Sequence, residues 1–219
     1  MPDVTPLVEA RLRSALGPPD ARAAVTFLGA ERIEVLRYND GDLRRYVTLG
    51  MSAQPMADPL ATVADPVRGP RAELLVTVRA GRADTDKILR PLAALAASPQ
   101  VEGVVVAPGS ALEVGEPLWP GAPFTAVLVA ESGGLVPDLD LDGVDLDEVA
   151  GLAGLAGVAG APGGGMDPVR FLPLLPMTPS EAAWKRVHGA AALQERWLAH
   201  GTDLRDPLRT SVRLDDLDD

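Results

Sequence analysis

The fold is decided by one stretch in the last quarter of the chain, residues 171–181, which reads Phe171-Leu172-Pro173-Leu174-Leu175-Pro176-Met177-Thr178-Pro179-Ser180-Glu181. The apolar residues 169–175 predict a short buried strand. Thr178 and Glu181 then form a capping box, in which each side chain accepts a hydrogen bond from the other residue's backbone N–H. Pro179 is pre-set for the first position of a helix. The stretch therefore predicts a strand that leads directly into a helix.

That helix should run to His200 and stop at Gly201. At 100° per residue its apolar side chains form two stripes. One stripe holds Trp184, Val187, Ala191 and Leu198, and the other, on the opposite side, holds Leu193 and Trp197. Two apolar stripes predict a helix sandwiched between the sheet and another element, with Trp197 in the core. The alternative is that Trp197 is exposed and anchors a partner.

The sequence upstream of this stretch supplies the other elements of a mixed sheet. Residues 73–79 alternate, with Leu74, Val76 and Val78 on one face, which predicts a half-buried strand. The remaining predictions are helices at 5–16 and 85–97, a hairpin of strands 32–38 and 45–52, and strands 104–107 and 124–130. Together these elements predict a single α/β domain of the α+β type, with a mixed, mostly antiparallel sheet flanked by helices and with residues 1–213 as its bounds.

Composition excludes several classes of function. The 219 residues include 31 acids, 20 bases and no cysteine, for a formal charge of -11. Without cysteine there is no disulfide framework, thiolate metal site or cysteine nucleophile. The negative charge disfavours nucleic acid and favours a basic protein partner. The sequence shows no signal peptide and no apolar run long enough to span a bilayer, so we expect a cytoplasmic protein without a membrane partner.

Acids concentrate in two segments. Residues 133–165 are rich in glycine and acids, which predicts a mobile loop, and residues 214–219 are predicted to be a disordered tail. The loop acids that we expect to steer a basic partner are Asp138, Asp140, Asp142, Asp145, Asp147 and Glu148. The string from Asp138 to Gly143 also begins like a calcium loop, but its twelfth position is Val149, where a bidentate glutamate should stand. Calcium binding is therefore an alternative to electrostatic steering.

Catalytic patterns are incomplete in this sequence. Residues 50–54 begin like a nucleophile elbow around Ser52, but Gln54 replaces the closing glycine. The only histidines, His188 and His200, are predicted three turns apart on one helix, which suits neither a Ser-His pair nor a shared metal. No phosphate-binding glycine loop with its lysine occurs. We therefore predict no catalytic residue, no metal ligand and no cofactor, although an undetected hydrolase would need only a carboxylate cluster that sequence cannot show.

A series of ordered landmarks resembles one family. They are residues 46–52 with Pro55-Met56, then 71–74, then 171–181, and finally 209–212, which read Tyr46-Val47-Thr48-Leu49-Gly50-Met51-Ser52, Arg71-Ala72-Glu73-Leu74, the stretch quoted above, and Arg209-Thr210-Ser211-Val212. This order resembles the suppressor of fused family in its short bacterial form, over roughly residues 28–213. The resemblance implies a fold similar to the N-terminal lobe of the animal Hedgehog-pathway repressor, with no catalytic residue. The peptide clamp between two lobes is not implied, because a second lobe is missing from this sequence.

The resemblance and the charge point to the same class of function. Animal members sequester a transcription factor, and short bacterial members are proposed as immunity proteins, so we expect a non-enzymatic protein-binding module that neutralises a basic partner such as a toxin. Its aromatic anchors are predicted to be Tyr38, Tyr46, Trp119 and Trp197. The alternative is a small-ligand or calcium-binding domain.

Overall fold

Seven strands form one mixed sheet in the computed structural model, which describes residues 3–57, 68–141 and 166–214. The strands are β1 (Ala21–Val25), β2 (Ile33–Asp40), β3 (Leu43–Leu49), β4 (Arg71–Arg79), β5 (Ala111–Glu113), β6 (Ala126–Val129) and β7 (Val169–Met177). Their order is β1-β2-β3-β4-β7-β6-β5. All neighbours are antiparallel except β4 and β7, which are parallel. The predicted fold class is confirmed.

Helices cover both faces of this sheet. They are α1 (Thr5–Leu16), α2 (Leu89–Glu102), α3 (Pro179–His188) and α4 (Ala190–Ala199), with short 3-10 turns at Met51–Ala53 and Thr85–Ile88. One face, which we call face A, packs against α2 and the segment around Trp119. The other, face B, packs against α1, residues 136–141 and the pair α3–α4. Among the described residues, no helix is long and apolar enough to cross a bilayer.

The junction of strand and helix at residues 171–181 forms as predicted. The Thr178 hydroxyl accepts from the Glu181 N–H, and the Glu181 carboxylate accepts from the Thr178 N–H at 2.9 Å. Pro179 occupies the first helical position. Because this local cap fixes where α3 begins, it also fixes how the helix leaves the sheet.

The helix after this cap is shorter than predicted. It ends at His188, and Gly189 has φ 89 and ψ 168, which is not a helical conformation, so α4 starts as a separate helix. The break corrects the two-stripe interpretation, because Leu193 and Trp197 are buried whereas Val187 and Leu198 are exposed. A single continuous helix was therefore the wrong model for residues 178–200.

The central strand β4 is more buried than its alternation suggests. Seven of its nine residues are buried, including Glu73 at 0% exposure. The strand lies between β3 and β7, and both faces of the sheet are covered there. The prediction of a half-buried strand is therefore corrected, because Glu73, on the face opposite Leu74, is buried as well.

Three short segments differ from the prediction. Residues 104–107 form no strand, although Val106 is buried and its N–H faces the sulfur of Met56. The edge strands β1 and β5 were not predicted, because one is alanine-rich and the other has only three residues. Short, alanine-rich segments lack the β-branched pattern that reveals a strand.

The beginning of the predicted acidic loop packs against the sheet. Val136 and Leu141 are buried, and Leu139 exchanges two backbone hydrogen bonds of 2.9 Å with Val169 at the start of β7. These contacts join residues 136–141 to the sheet, whereas residues 142–165 lie outside the described part of the chain, and the mobility of the loop 133–165 stays a prediction. Leu214, the first residue of the predicted tail, packs against the α3–α4 core, and residues 215–219 lie outside the described part.

Gly50 should be intolerant of a side chain. Its φ is +118°, and a Cβ atom would lie 2.6 Å from the backbone oxygen of Arg32. We expect Gly50→Ala to lower the free energy of unfolding by about 2–3 kcal/mol. The cost of a positive φ for alanine adds to the cost of the clash with the Arg32 backbone. Gly103 also has a positive φ but open space around it, so Gly103→Ala should cost only about 1 kcal/mol. Urea titrations measure both, and equal losses would contradict the steric argument.

Candidate partner-binding surface and the networks beneath it

The four predicted aromatic anchors are all in the core. Exposure is 3% for Tyr38, 0% for Tyr46, 1% for Trp119 and 2% for Trp197. A side chain this deeply buried presents no surface to a partner, so the prediction of these residues as anchors is corrected. They hold the domain together instead.

The hydrogen bonds made by the polar atoms of Tyr46 and Trp119 explain why these two aromatics can be buried. The Tyr46 hydroxyl lies 2.8 Å from the Thr85 hydroxyl and donates to Asp86 at 2.7 Å, and burial raises the pKa of Tyr46 to about 12. The Trp119 indole N–H donates to the Pro207 carbonyl at 3.1 Å. Buried tyrosine and tryptophan normally require such partners.

Trp197 belongs to a buried network centred on Glu181. The carboxylate accepts from the Trp197 indole at 3.0 Å and from two nitrogens of Arg209 at 2.7 and 2.9 Å. Arg209 also donates to the Pro176 carbonyl, and its guanidinium lies 5.0 Å from the ring centroid of Phe124. The network therefore joins the landmark at 171–181 to the landmark at 209–212.

Burial and hydrogen-bond partners shift the pKa of the Glu181 carboxyl group in opposite directions. Desolvation alone would raise the pKa of Glu181, but the Arg209 guanidinium and the N–H donors hold it below its ordinary value. The ionised form is therefore the one that the fold stabilises. Sequence reasoning identified Glu181 as a cap but missed its partner, because 28 residues separate the pair.

A second buried network joins the other two landmarks. Glu73 accepts from the N–H groups of Gly50 and Ser52 and from the hydroxyls of Ser52 and Thr48, at 2.6–3.0 Å. Arg71, 1% exposed, donates to the Ser52 carbonyl at 2.6 Å. Two charged residues of one strand thus hold the 3-10 turn after β3 against β4.

In this network the Ser52 side chain has a structural role. Its hydroxyl donates to Glu73 and is fully buried, while His188 and His200 are exposed on the far helices. A nucleophile needs access to substrate and a base within hydrogen-bond reach. Ser52 therefore lacks the environment that an elbow serine requires.

The metal alternative finds no support among the described residues. Within 3–57, 68–141 and 166–214, no three His, Asp or Glu side chains are grouped to hold a metal ion. Asp138 is engaged instead with Arg170 at 3.8 Å and with the Phe171 N–H at 3.4 Å. Of the other predicted loop acids, Asp140 is described, whereas Asp142, Asp145, Asp147 and Glu148 lie outside the described residues.

Within the described part of the chain, two open clefts are candidates for a small ligand. One, of about 480 Å³, lies along the C-terminal segment and is lined by His200, Thr202, Asp203, Asp206, Arg209 and Arg213. The other, of about 400 Å³, lies between α1 and β1–β2 and is lined by Asp3, Glu9, Arg22, Glu31, Arg32 and Glu34. Ligand pockets are normally apolar and enclosed, so these charged clefts do not favour the small-ligand alternative.

The negative charge of the chain is distributed very unevenly. Ten of the 31 acids lie in residues 58–67, 142–165 and 215–219, which contain no lysine or arginine. The described residues therefore carry 21 acids against 20 bases, almost a neutral balance. Nearly all of the excess belongs to three segments outside the described part of the chain.

Comparisons with known proteins agree with this fold. The suppressor of fused protein family model matches residues 29–210. A suppressor of fused homologue from Neisseria gonorrhoeae superposes with a TM-score of 0.65 at 16% identity, covering 96% of this chain and 97% of that one. A chain of the Sufu–Fu complex gives 0.60 at 12% identity, covering 96% and 92%. Drosophila Suppressor of Fused gives 0.58 at 12% identity, and this chain, 96% covered, spans 51% of it.

These likenesses define the class of fold as the mixed-sheet domain of suppressor of fused proteins. No curated protein sequence matches the chain. The family model nevertheless covers most of its length, and the chain belongs to the suppressor of fused family. The family resemblance inferred from the ordered landmarks is confirmed.

Proposed function

We propose that this chain is a non-enzymatic protein-binding module that holds a basic protein partner. The observation that carries the proposal is the uneven distribution of charge along the chain. The described residues are nearly neutral in sum, and almost all of the excess acids lie in the three segments outside them. Membership of the suppressor of fused family supports it, since one structural relative was solved as a Sufu–Fu complex. Charge concentrated in this way favours rapid encounter with a partner of opposite sign.

The finer proposal is an immunity or sequestering protein that acts in the cytoplasm on a toxin. Such a protein must capture its target quickly, and electrostatic steering raises association rates more than it raises affinity. The acids at 138–148 supply this steering, because six carboxylates lie within eleven residues of sequence. The absence of cysteine is compatible with a reducing compartment.

The first experiment identifies the partner. A tagged chain is used to capture proteins from the native host at low and moderate salt, and the captured proteins are identified by mass spectrometry. We expect one stoichiometric basic protein that is lost as salt rises. No captured protein at either salt would overturn the proposal.

The second experiment tests the loop with a matched charge change. We expect Asp142→Asn, Asp145→Asn, Asp147→Asn and Glu148→Gln together to slow association with the captured partner by about fivefold and to flatten its salt dependence. The control replaces four tail acids by asparagine, namely Asp215, Asp216, Asp218 and Asp219. Stopped-flow association rates compare the two variants. If the loop variant and the tail variant slowed association equally, the loop acids would have no specific role in binding the partner.

A further inference from the structure

The outer surface of helices α3 and α4 presents an aromatic ring with a cation over it. The Trp184 ring stacks on the His188 ring, with centroids 4.1 Å apart and planes at 23°. Arg196 of α4 reaches the same ring, and its guanidinium carbon lies 5.4 Å from the ring centroid. Trp184 is half-buried, and Val187 on the same helix is 78% exposed. We call the surface formed by these four side chains the Trp184 surface.

The two helices carry positive charge at their surface, although the chain as a whole is acidic. Of their two carboxylates, Glu181 is buried and bound by Arg209, so Glu195 is the one that contributes to the surface charge. The same helices contain three cations, which are Lys185, Arg186 and Arg196. This balance favours an acidic occupant for the Trp184 surface.

The part of the chain that the structure describes ends on this helix pair. The Val212 N–H donates to the Glu181 carboxylate at 3.0 Å, and Leu214 packs against the same apolar cluster as Trp184. The next five residues are four acids around one leucine, Asp215-Asp216-Leu217-Asp218-Asp219. Five extended residues span about 17 Å, and the ten residues of α3 are about 15 Å long. The segment 215–219 is therefore long enough to reach along the helix.

We propose that residues 215–219 bind the Trp184 surface of their own chain. In this contact the acids lie beside Arg196, and Leu217 lies against the Trp184 ring. The opposite charges attract, and the leucine covers apolar surface that is otherwise exposed. A tethered segment also has an effective concentration in the millimolar range, which an acidic segment of another protein lacks. Charge, sequence pattern and chain position therefore select the same occupant.

This contact lies at the opposite end of β7 from the predicted acidic loop. Leu214 packs against the cluster that contains Met177, the last residue of β7, whereas Leu139 pairs with Val169 at its start. A strand of nine residues is about 30 Å long. The segment's acids are thus paired with cations of their own chain, far from the loop acids that we propose for steering. The contact needs no protein partner and is tested on the purified chain, so failure of either proposal leaves the other standing.

A spin label tests the contact in the full chain. Asp219→Cys introduces a single thiol, because the sequence contains no cysteine. We expect a nitroxide on this thiol to reduce the backbone amide signal of Trp184 about twofold at low salt, compared with the reduced label. Adding Arg196→Gln should restore most of the signal, and so should high salt, which screens the attraction. Adding Arg186→Gln should not, because Arg186 pairs with Glu113 of β5. Equal signal loss in the two arginine variants would overturn the proposal and leave the surface to an acidic segment of another protein.

The indole N–H signals of the three tryptophans give a second test without a label. Trp119 and Trp197 are buried and donate to internal acceptors, so their signals should not respond to the segment. We expect Leu217→Ser to shift the Trp184 indole signal and to leave the other two in place. Leu28→Ser, at a site that is 100% exposed just beyond β1, is the matched control and should move none of the three. An unchanged Trp184 signal in Leu217→Ser would overturn the proposed contact.

Discussion

Arg209→Met should lower the free energy of unfolding by about 3–5 kcal/mol, because it leaves the Glu181 carboxylate charged and buried without its cation. Glu181 is 0% exposed and Arg209 7% exposed, so water cannot replace the lost partner without opening the core. Urea unfolding followed by tryptophan fluorescence measures the loss. Arg186→Met is the control, since Arg186 forms an ion pair with Glu113 at a site where both side chains are 63% exposed. That change should cost at most about 1 kcal/mol.

The double variant Arg209→Met, Glu181→Gln removes both charges but keeps an amide oxygen that can accept from the Trp197 indole, so it distinguishes a lost partner from lost packing. Removing both charges eliminates the unpaired carboxylate, so the double variant should be more stable than Arg209→Met alone. If the double variant lost as much free energy of unfolding as the two single variants lose together, the two residues would contribute independently. That result would contradict the buried ion pair as the source of the effect.

The contribution of the Glu181–Arg209 pair to the free energy of unfolding should decrease as the pH falls. The pKa of Glu181 is lower in the folded state than its ordinary value of 4.5. Its contribution to stability is therefore complete above that value and is lost as the pH falls through the folded pKa. The pKa of Asp203, lowered to about 2 mainly because Arg79 and Arg205 outweigh desolvation, adds a smaller loss of the same sign, since its side chain is one-third exposed. The cost of Arg209→Met should accordingly shrink in acid.

Local signals explain how much of this fold could be predicted. The capping box at Thr178–Glu181 and the β2–β3 hairpin depend on residues within a few positions of one another, and both were predicted. The break at Gly189 was missed, because a glycine within a periodic apolar pattern does not by itself terminate a helix. Strand β1 was missed because its alanines have little preference for a sheet.

The buried networks could not be predicted from local sequence signals, because their members are far apart in the sequence. Glu73 meets Ser52 across 21 residues of sequence, and Arg209 meets Glu181 across 28. The tyrosines and tryptophans fit either a core or a binding surface, since the choice depends on whether their polar tips find partners. The ordered landmarks located all four segments of these networks without showing that they meet in pairs.

Glu73→Ala should be the most damaging single change on the β4 side of the domain. It removes the acceptor for four buried donors, so we expect a loss of about 4–5 kcal/mol in the free energy of unfolding. Glu73→Gln is the matched variant. Its oxygen can keep the three donors from Gly50 and Ser52, and its amide can donate to Thr48, so it should cost only about 1–2 kcal/mol. Urea unfolding of both variants gives the comparison.

The pH dependence at Glu73 should have the opposite sign to that at Glu181. Burial raises the pKa of Glu73 above 4.5, although its four donors oppose the shift. Stability from a carboxyl group with a raised folded pKa is present below the unfolded value and is lost as the pH rises through the folded one. Glutamine does not titrate, so the cost of Glu73→Gln should shrink as the pH rises above 4.5, whereas the cost of Arg209→Met shrinks as it falls. If both costs shrank in the same direction, the assignment of a raised pKa to Glu73 would be wrong, and its four donors would outweigh its burial.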